Sequence, residues 1–286
     1  MAVTLTERSE IARELFDKAA EVLGYDLLGL CKAGPADQLN KTEFCQPALF
    51  VHSYASLKQL EADRPDLWNP VFGVAGLSLG EYTAVAAAGG LSFEDGVKLV
   101  SIRGKAMQSA ADATDSGMAS VLGLDEEKLQ EVCNSASTDS EFVKVANLLC
   151  PGNIAISGHA AAVERAENLS TEAGAMKSVR LAVAGAFHTE IMRPAVSTLA
   201  EALAEVEFGA TKVPVYSNVD AKPHSEPEEF RQLLSKQVVA PVLWEASLRA
   251  LLDQGAEQFV EIGTGRVLAG TLKRVNRKIK CESIGD

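Results

Sequence analysis

Residues 69–90 read NPVFGVAGLSLGEYTAVAAAGG. The apolar run 71–77 is short, which predicts a buried strand. Residues 81–88 then predict a helix that ends at the two glycines behind it. A strand that leads directly into a helix indicates the α/β class of fold.

The junction between this strand and this helix is a G-x-S-x-G motif, Gly-Leu-Ser-Leu-Gly over residues 76–80. A sharp turn at that place raises the serine hydroxyl above the sheet edge, and flanking glycines allow close backbone approach. The free N–H groups at the helix start point to where an oxyanion would form. The motif also fits a purely structural turn, but its strand-to-helix position favours Ser78 as a nucleophile.

A serine nucleophile needs a base that removes its proton. His188 lies just past a predicted strand, at the strand-to-helix junction of the main domain, and ligands in open α/β sheets gather beyond the carboxyl ends of strands. The other histidines lie in a helix, in a turn and in a loop: His52, His159 and His224. His188 is therefore the candidate base, with an ordinary junction histidine as the alternative.

Arg103 lies on one stripe with Leu99 and Met107 in the predicted helix 92–113. An arginine at such a position either extends its charged end to solvent or points into a cavity. Helical spacing alone favours the first arrangement. In the second, the guanidinium would form a fork-shaped clamp for a substrate carboxylate.

The order of predicted elements divides the chain into two parts. Residues 116–184 predict strand, helix, two strands, helix and strand, the order of a ferredoxin-like unit. Residues 1–115 and 185–286 alternate strands with helices, which predicts a parallel sheet covered on both faces. Near the N-terminus, residues 9–30 predict a helix, and Pro47 is a good first residue for the next one.

The composition is typical of a globular protein. The chain has 286 residues, 47% hydrophobic and 23% charged, with no apolar run near the roughly 20 residues of a membrane span. The net charge of −12 argues against general nucleic-acid binding. Five scattered cysteines without CxxC spacing argue against a zinc site and favour a reducing compartment. The N-terminus shows no signal or transit peptide pattern.

The stretch GLSLGEYTAVAAAG and several others resemble the malonyl-CoA:acyl-carrier-protein transacylases of fatty-acid synthesis. From about Phe16 to the C-terminus they include CQPALF, LVSIRGKAMQ, NLLCPGNIAISG, AGAFH, VPVYSNVD, KQVVAPVLW and EIGTGRVLAG. The resemblance implies an α/β-hydrolase-like domain with an inserted ferredoxin-like (βαββαβ) subdomain. ANLLCPGN and RLAVAGAFHT look most like plastid-type members, which implies the plastid stroma, or otherwise the cytoplasm.

The resemblance also implies catalytic roles for matching residues. Ser78 matches the nucleophile that becomes malonylated, and His188 matches the general base and acid. Gln237 matches the glutamine that supports the histidine. Leu79 matches the residue whose backbone N–H forms half of the oxyanion hole.

On the substrate side, Arg103 matches the arginine that binds the free malonyl carboxylate. The resemblance places four further residues around the substrate: Gln46, Met107, Asn147 and Phe187. Phe187 with the histidine after it resembles the Ala-Phe-His signature of malonyl-selective members, as opposed to the Ala-Ser-His type.

The reaction that the resemblance implies is a ping-pong transfer from malonyl-CoA to the phosphopantetheine thiol of acyl carrier protein. It needs no cofactor and no metal, and we expect a monomer without nucleic-acid or membrane partners. The carrier protein is expected to be acidic. The basic segment 271–280 is a candidate docking surface, with a solvated final helix as the alternative.

The sequence departs from the family at its start. Members open with a strand and a Pro-Gly-Gln-Gly loop that supplies the other oxyanion donor, and this sequence begins after that point. We therefore expect either a fragment or a weakened enzyme, with Gln46 as a nearby candidate donor. The alternatives are a general serine hydrolase or thioesterase, which would pair an acid with His188, and an inactive carrier-protein-binding scaffold.

Overall fold

The computed structural model describes residues 2–285. Its helices are α1 (Val3–Arg8), α2 (Glu10–Leu23), α3 (Leu27–Ala33), α4 (Ala36–Leu39), α5 (Thr42–Asp63), α6 (Pro65–Trp68), α7 (Leu79–Ala87), α8 (Phe93–Asp112), α9 (Glu126–Ala136), α10 (Ala160–Glu172), α11 (Arg193–Glu205), α12 (Pro227–Gln237), α13 (Trp244–Asp253) and α14 (Val267–Val275). Its strands are β1 (Val74–Ala75), β2 (Ser116–Leu122), β3 (Val143–Cys150), β4 (Asn153–His159), β5 (Lys177–Arg180), β6 (Val215–Tyr216), β7 (Pro223–His224), β8 (Gln258–Ile262) and β9 (Lys280–Ile284).

The N-terminal helices begin and end differently from the sequence prediction. Ser9 caps α2 by accepting a hydrogen bond from the Ala12 N–H, as expected, but Gly24 adopts a left-handed conformation and ends that helix. The predicted single helix 9–30 is therefore two helices. Pro47 lies inside α5, so the predicted helix start at Pro47 was wrong.

The middle of the chain forms a four-stranded antiparallel sheet in the order β3-β4-β2-β5. Helices α9 and α10 pack on it and on each other. Their apolar faces and the inner faces of the strands form one buried cluster, which includes Leu129, Val163 and Ile156. The sequence of elements from β2 to β5 is the one that the hydrophobic pattern predicts.

The rest of the chain contains less sheet than the sequence predicts. β1 pairs in parallel with β6, which pairs antiparallel with β7, while β8 and β9 form a separate parallel pair. The predicted strand 71–77 is a strand only at Val74–Ala75, because its partner β6 is equally short and the chain leaves it to form a turn. Helices α5, α7, α8 and α11 surround this region and supply most of its core.

The last basic segment is a helix only in part. Helix α14 ends at Val275, and β9 begins at Lys280 beside β8. The predicted last helix is present, and it covers the basic segment only as far as Val275. Strand pairing with β8 overrides the local pattern at this point.

Two backbone hydrogen bonds connect the four-stranded sheet to the segment before α13. Leu148 N–H donates to the Val242 carbonyl at 2.9 Å, and Val242 N–H donates to the Ala146 carbonyl at 2.8 Å. Strand β3 thereby borders the region that carries the serine motif. The domain boundaries at 116 and 184 stay a prediction.

Candidate active site

Ser78 stands at the turn between β1 and α7 with a positive φ of 50°. This conformation is uncommon for a residue with a side chain, so the surroundings must hold it. Gly76 is needed there, because a Cβ at that position would overlap the backbone of Gly80. The turn therefore has the sharp geometry that the G-x-S-x-G motif predicts.

A buried asparagine holds this turn from both sides. Asn218 Oδ1 accepts a hydrogen bond from the Ser78 N–H at 2.6 Å, and its Nδ2 donates to the Gly76 carbonyl at 2.8 Å. Asn218 is fully buried just after β6. The side chain thus fixes the backbone on either side of Leu77.

His188 lies against the serine hydroxyl, with 2.9 Å between its Nε2 and Ser78 Oγ. It is 4% exposed and also has a positive φ, 62°. Its Nδ1 lies 2.9 Å from the Gln237 carbonyl oxygen. Because a carbonyl only accepts, Nδ1 carries the proton and Nε2 is free to accept the serine proton. This is the tautomer that a general base for Ser78 requires.

The charge state of His188 agrees with that role. Burial, and then the positive charge of Arg103, lower the pKa of His188 to about 4. Hydrogen bonds to the backbone at Gln237 and Ala240 act in the opposite direction. The imidazole is therefore neutral near pH 7 and able to take a proton.

Arg103 is 1% exposed, so its charged end does not extend to solvent and that alternative is wrong. Its Nη1 donates to Gln46 Oε1 at 2.6 Å, and its Nη2 donates to Ser78 Oγ and to Gln237 Oε1, both at 3.0 Å. All three acceptors are uncharged. A buried cation whose directly bonded acceptors are all neutral favours an anionic ligand, because a carboxylate would be its direct counterion.

Gln237 contacts His188 through its backbone and the other polar groups through its side chain. Its Nε2 donates to the Ser78 carbonyl at 3.0 Å and to Glu81 Oε2 at 2.5 Å. The Nδ1 of His188 thus faces backbone rather than a carboxylate. A general serine hydrolase would pair an acid with the histidine, and this arrangement does not do so.

The candidate oxyanion donors differ in their surroundings. Leu79 is the first residue of α7, and an N–H at that position has no partner within its helix. Gln46 is buried, and besides accepting from Arg103 it donates to the Met107 sulfur at 3.7 Å. Gln46 therefore supports the arginine, and its side-chain amide donor has the Met107 sulfur as a partner.

The two remaining predicted substrate residues lie at the border of the four-stranded sheet. Phe187 is half-buried beside His188, and its carbonyl accepts a hydrogen bond from Ser157 Oγ at 2.8 Å. Asn147 lies in β3, where its backbone forms a bridge with Val242. Its Oδ1 is buried without a hydrogen-bond partner. The structure thus does not bring Asn147 into the hydrogen-bonded cluster around Ser78.

Two residues of this cluster escaped the sequence analysis, Glu81 and Asn218. Glu81 could have been suspected, because it is the single charged residue in the apolar stretch 79–88. Asn218 lies within the predicted strand 213–219, of which only Val215–Tyr216 is a strand in the structure. Their roles depend on contacts between distant parts of the chain, which no local pattern shows.

Within residues 2–285, no group of three or more histidine, cysteine or acidic side chains could hold a metal ion. No helix in that range is long and apolar enough to cross a membrane.

Comparison with known proteins agrees with this geometry. The family model described as "Acyl transferase domain" matches residues 1–285. The malonyl CoA-acyl carrier protein transacylase of Bacillus subtilis is 40% identical over 288 residues, which cover 100% of this chain and 89% of that relative.

Solved structures give the same result. The malonyl CoA-acyl carrier protein transacylase of Coxiella burnetii has a TM-score of 0.95 at 37% identity, covering 100% of this chain and 89% of that one. A malonyl-transacylase in complex with a type II PKS acyl-carrier protein has a TM-score of 0.94 at 35% identity, covering 100% and 91%. The relatives named with their organism here are bacterial, so they do not support the plastid assignment. The chain belongs to the acyl transferase domain family and, within it, to the malonyl CoA-acyl carrier protein transacylases.

Proposed function

We propose that the protein transfers the malonyl group of malonyl-CoA to the phosphopantetheine thiol of acyl carrier protein through a malonyl-Ser78 intermediate. One observation carries this proposal. Ser78 Oγ lies 2.9 Å from His188 Nε2 and 3.0 Å from Arg103 Nη2, so the nucleophile stands between a neutral base and a buried cation. One methylene separates the malonyl carboxylate from the thioester carbon. A cation beside the nucleophile is therefore within reach of that carboxylate.

In the first half-reaction, Ser78 Oγ attacks the thioester carbon while His188 Nε2 takes the hydroxyl proton. The thioester oxygen becomes an oxyanion, which the Leu79 N–H at the start of α7 would stabilise. The carbon–sulfur bond then breaks. Coenzyme A leaves as its thiol with the proton from His188, and the malonyl ester remains on Ser78.

In the second half-reaction, the carrier-protein thiol gives its proton to His188 and attacks the ester carbon. The ester bond breaks, and His188 returns the proton to Ser78 Oγ. Throughout both steps, Arg103 would hold the malonyl carboxylate and prevent the acyl group from rotating away. Gln46 and Gln237 hold the guanidinium in place through the hydrogen bonds described above.

The other two readings of the sequence are not favoured. A hydrolase needs no carboxylate clamp, and Arg103 is fully buried beside the nucleophile. An inactive scaffold would not need a serine in hydrogen-bond contact with a neutral histidine. The names of the related proteins also describe transfer to acyl carrier protein.

We also propose the finer description of the fold. The strand order β3-β4-β2-β5 supports a ferredoxin-like subdomain over residues 116–184. The parallel pairing of β1 with β6 and the serine turn after β1 support an α/β-hydrolase-like domain over residues 1–115 and 185–286.

For the carrier protein, we propose docking on the basic segment 271–280. Its exposed cations are Lys273, Arg274, Arg277, Lys278 and Lys280. Arg274 also reaches the Gly152 carbonyl at 3.4 Å, in the turn between β3 and β4. The surface thus extends from α14 to the four-stranded sheet, and it is positive on a chain of net charge −12.

The test is intact-protein mass spectrometry after incubation with malonyl-CoA, with Ser78→Ala and Arg103→Ala in parallel. We expect a malonyl adduct on the unaltered protein, none on Ser78→Ala, and a strongly reduced amount on Arg103→Ala. Addition of holo-acyl carrier protein should then remove the adduct and increase the carrier mass by the same amount. An adduct of equal yield on Ser78→Ala, or release of the malonyl group as free malonate at the rate of transfer, would refute the proposal.

A further inference from the structure

A buried acid lies next to the catalytic groups, and the steps above do not use it. Glu81 is in the first turn of α7, three residues after the serine, and is 2% exposed. Its Oε2 accepts hydrogen bonds from Gln237 Nε2 at 2.5 Å and from the Asn218 N–H at 3.2 Å. The Ser217 side chain also bonds to this carboxyl group. An ionisable side chain so completely enclosed needs a specific reason.

Glu81 determines how the Gln237 amide is turned. Gln237 Oε1 accepts from Arg103 at 3.0 Å, while its Nε2 donates to Glu81 and to the Ser78 carbonyl. The opposite orientation would place amide hydrogens against the guanidinium and the amide oxygen against the carboxylate. Neither contact could be a hydrogen bond. The carboxylate thus orients the amide, and the amide holds the arginine.

The charge of Arg103 also acts on Glu81. The titratable groups that interact with Glu81 are Arg103 from α8 and Tyr82 from α7. His188, from the loop after β5, is the third titratable group of the cluster and interacts with Arg103. Burial raises the pKa of Tyr82, and burial with the Arg103 charge lowers the pKa of His188 to about 4, so both are neutral near pH 7. Arg103 is therefore the charge to which the ionisation of Glu81 responds.

Burial raises the pKa of Glu81 to about 7, and its hydrogen bonds and the Arg103 charge act against this rise. Near neutral pH the group is thus poised between its two forms. A substrate carboxylate on Arg103 would add a second anion to the cluster, and its charge would offset the Arg103 charge that favours ionised Glu81. This favours the protonated form.

We propose that Glu81 is a positioning residue whose ionisation is coupled to the substrate: through Gln237 it orients Arg103, and it takes up a proton from solvent when a malonyl carboxylate binds to Arg103. By reciprocity, the protein with protonated Glu81 binds the malonyl group more tightly than the protein with ionised Glu81. This inference rests on the proposed malonyl transfer.

The test compares malonyl-CoA with acetyl-CoA, which lacks the carboxylate. The second-order rate constant of acyl-enzyme formation is measured for each by rapid quench and mass spectrometry between pH 6 and 8.5. The rate constant for malonyl-CoA is divided by that for acetyl-CoA, because this ratio cancels the titrations of His188 and of coenzyme A, which both reactions share. In the unaltered protein we expect this ratio to fall about tenfold as the pH rises, which is the factor for a one-unit pKa change on binding.

The variant Glu81→Gln keeps the size of the side chain and an acceptor for Gln237, but it cannot titrate. We expect a ratio independent of pH in this variant. Glu94→Gln is the matched control, because Glu94 is also in the first turn of a helix but is exposed. This control should reproduce the pH dependence of the unaltered protein.

A flat ratio in the unaltered protein, or an equal slope in Glu81→Gln, would overturn the inference. A purely structural role would lower both rate constants and leave the slope of their ratio unchanged. If Glu81→Gln does not fold, Glu81→Asp replaces it: this variant keeps a titratable carboxyl and should keep a pH-dependent ratio, and a flat ratio there counts against the coupling. Failure of the proposed function has a different signature, because no malonyl-Ser78 would form at any pH.

Discussion

Replacement of Asn218 by alanine should damage the fold and the chemistry together. The Asn218 side chain makes two buried hydrogen bonds, at 2.6 Å with the Ser78 N–H and at 2.8 Å with the Gly76 carbonyl. Asn218→Ala leaves both backbone groups without a partner. Each unpaired buried group costs about 1–3 kcal/mol, so the sum is roughly 2–6 kcal/mol.

Part of that loss is offset if the turn relaxes. The positive φ of Ser78 stores about 1–3 kcal/mol of strain, which is released when the turn rearranges. We therefore expect a net loss of about 1–3 kcal/mol. Relaxation also displaces the nucleophile from His188. A misplacement of about 1 Å costs roughly 100-fold in rate, and we expect malonylation to slow by about that factor.

The assay measures thermal unfolding and the rate of malonyl-enzyme formation on the same samples. For a chain of this size, the expected loss corresponds to a fall in Tm of about 2–6 °C. Asn134→Ala is the control, because Asn134 is exposed on α9 and its side chain accepts a hydrogen bond only from another exposed side chain, Gln130. If Asn218→Ala unfolds and reacts like this control, the reasoning that Asn218 holds the turn is wrong.

Three further predictions concern backbone space, protonation and surface charge. Gly76→Ala should either not fold or form malonyl-Ser78 at least 100-fold more slowly, because the added Cβ would overlap the Gly80 backbone. A circular dichroism melt and an acylation rate close to those of the unaltered protein would contradict this prediction. Between pH 4.5 and 6.5 the two buried titrations oppose each other: the lowered pKa of His188 makes stability fall as the pH drops through this window, and the raised pKa of Glu81 makes it fall as the pH rises. The free energy of unfolding, measured with urea, should thus vary little with pH in the unaltered protein, whereas Glu81→Gln should gain stability as the pH rises. If the free energies of the two proteins vary with pH in parallel, Glu81 does not have the raised pKa. Arg274→Glu should raise the KM for acyl carrier protein several-fold without a change in malonyl-Ser78 formation, and an unchanged KM would exclude that part of the surface.

The parts of the fold with regular local patterns could be predicted from the sequence. The order of elements from β2 to β5 follows directly from alternating and helical apolar spacing, because each element there buries one face against its neighbours. The large region was predicted less well. Strands β1 and β6 have only two residues each, and such short elements are defined by their partners rather than by their own composition.

The same distinction applies to the candidate site. Ser78 could be found because it lies in the turn between a strand and a helix, and the structure joins it to His188. His188 was found from a predicted strand end, although β5 ends eight residues earlier at Arg180, in the four-stranded sheet. Glu81 and Asn218 could not be placed, because the hydrogen bond between them connects residues 137 positions apart in the chain. Arg103 was ambiguous for a related reason, since helical spacing does not say what lies opposite the helix.

The main-chain support of His188 bears on which acyl groups the protein can accept. An aspartate in place of the Gln237 carbonyl would add a full negative charge to the pocket that receives a malonyl carboxylate. At a separation of about 6 Å and an effective dielectric constant of about 20, two such charges repel by roughly 3 kcal/mol, which is about a 100-fold loss of affinity. A carbonyl dipole orients the same imidazole without any net charge. The absence of an acid at this place would thus favour anionic acyl groups, and it would leave amide and simple ester substrates, which benefit from a stronger base, at a disadvantage.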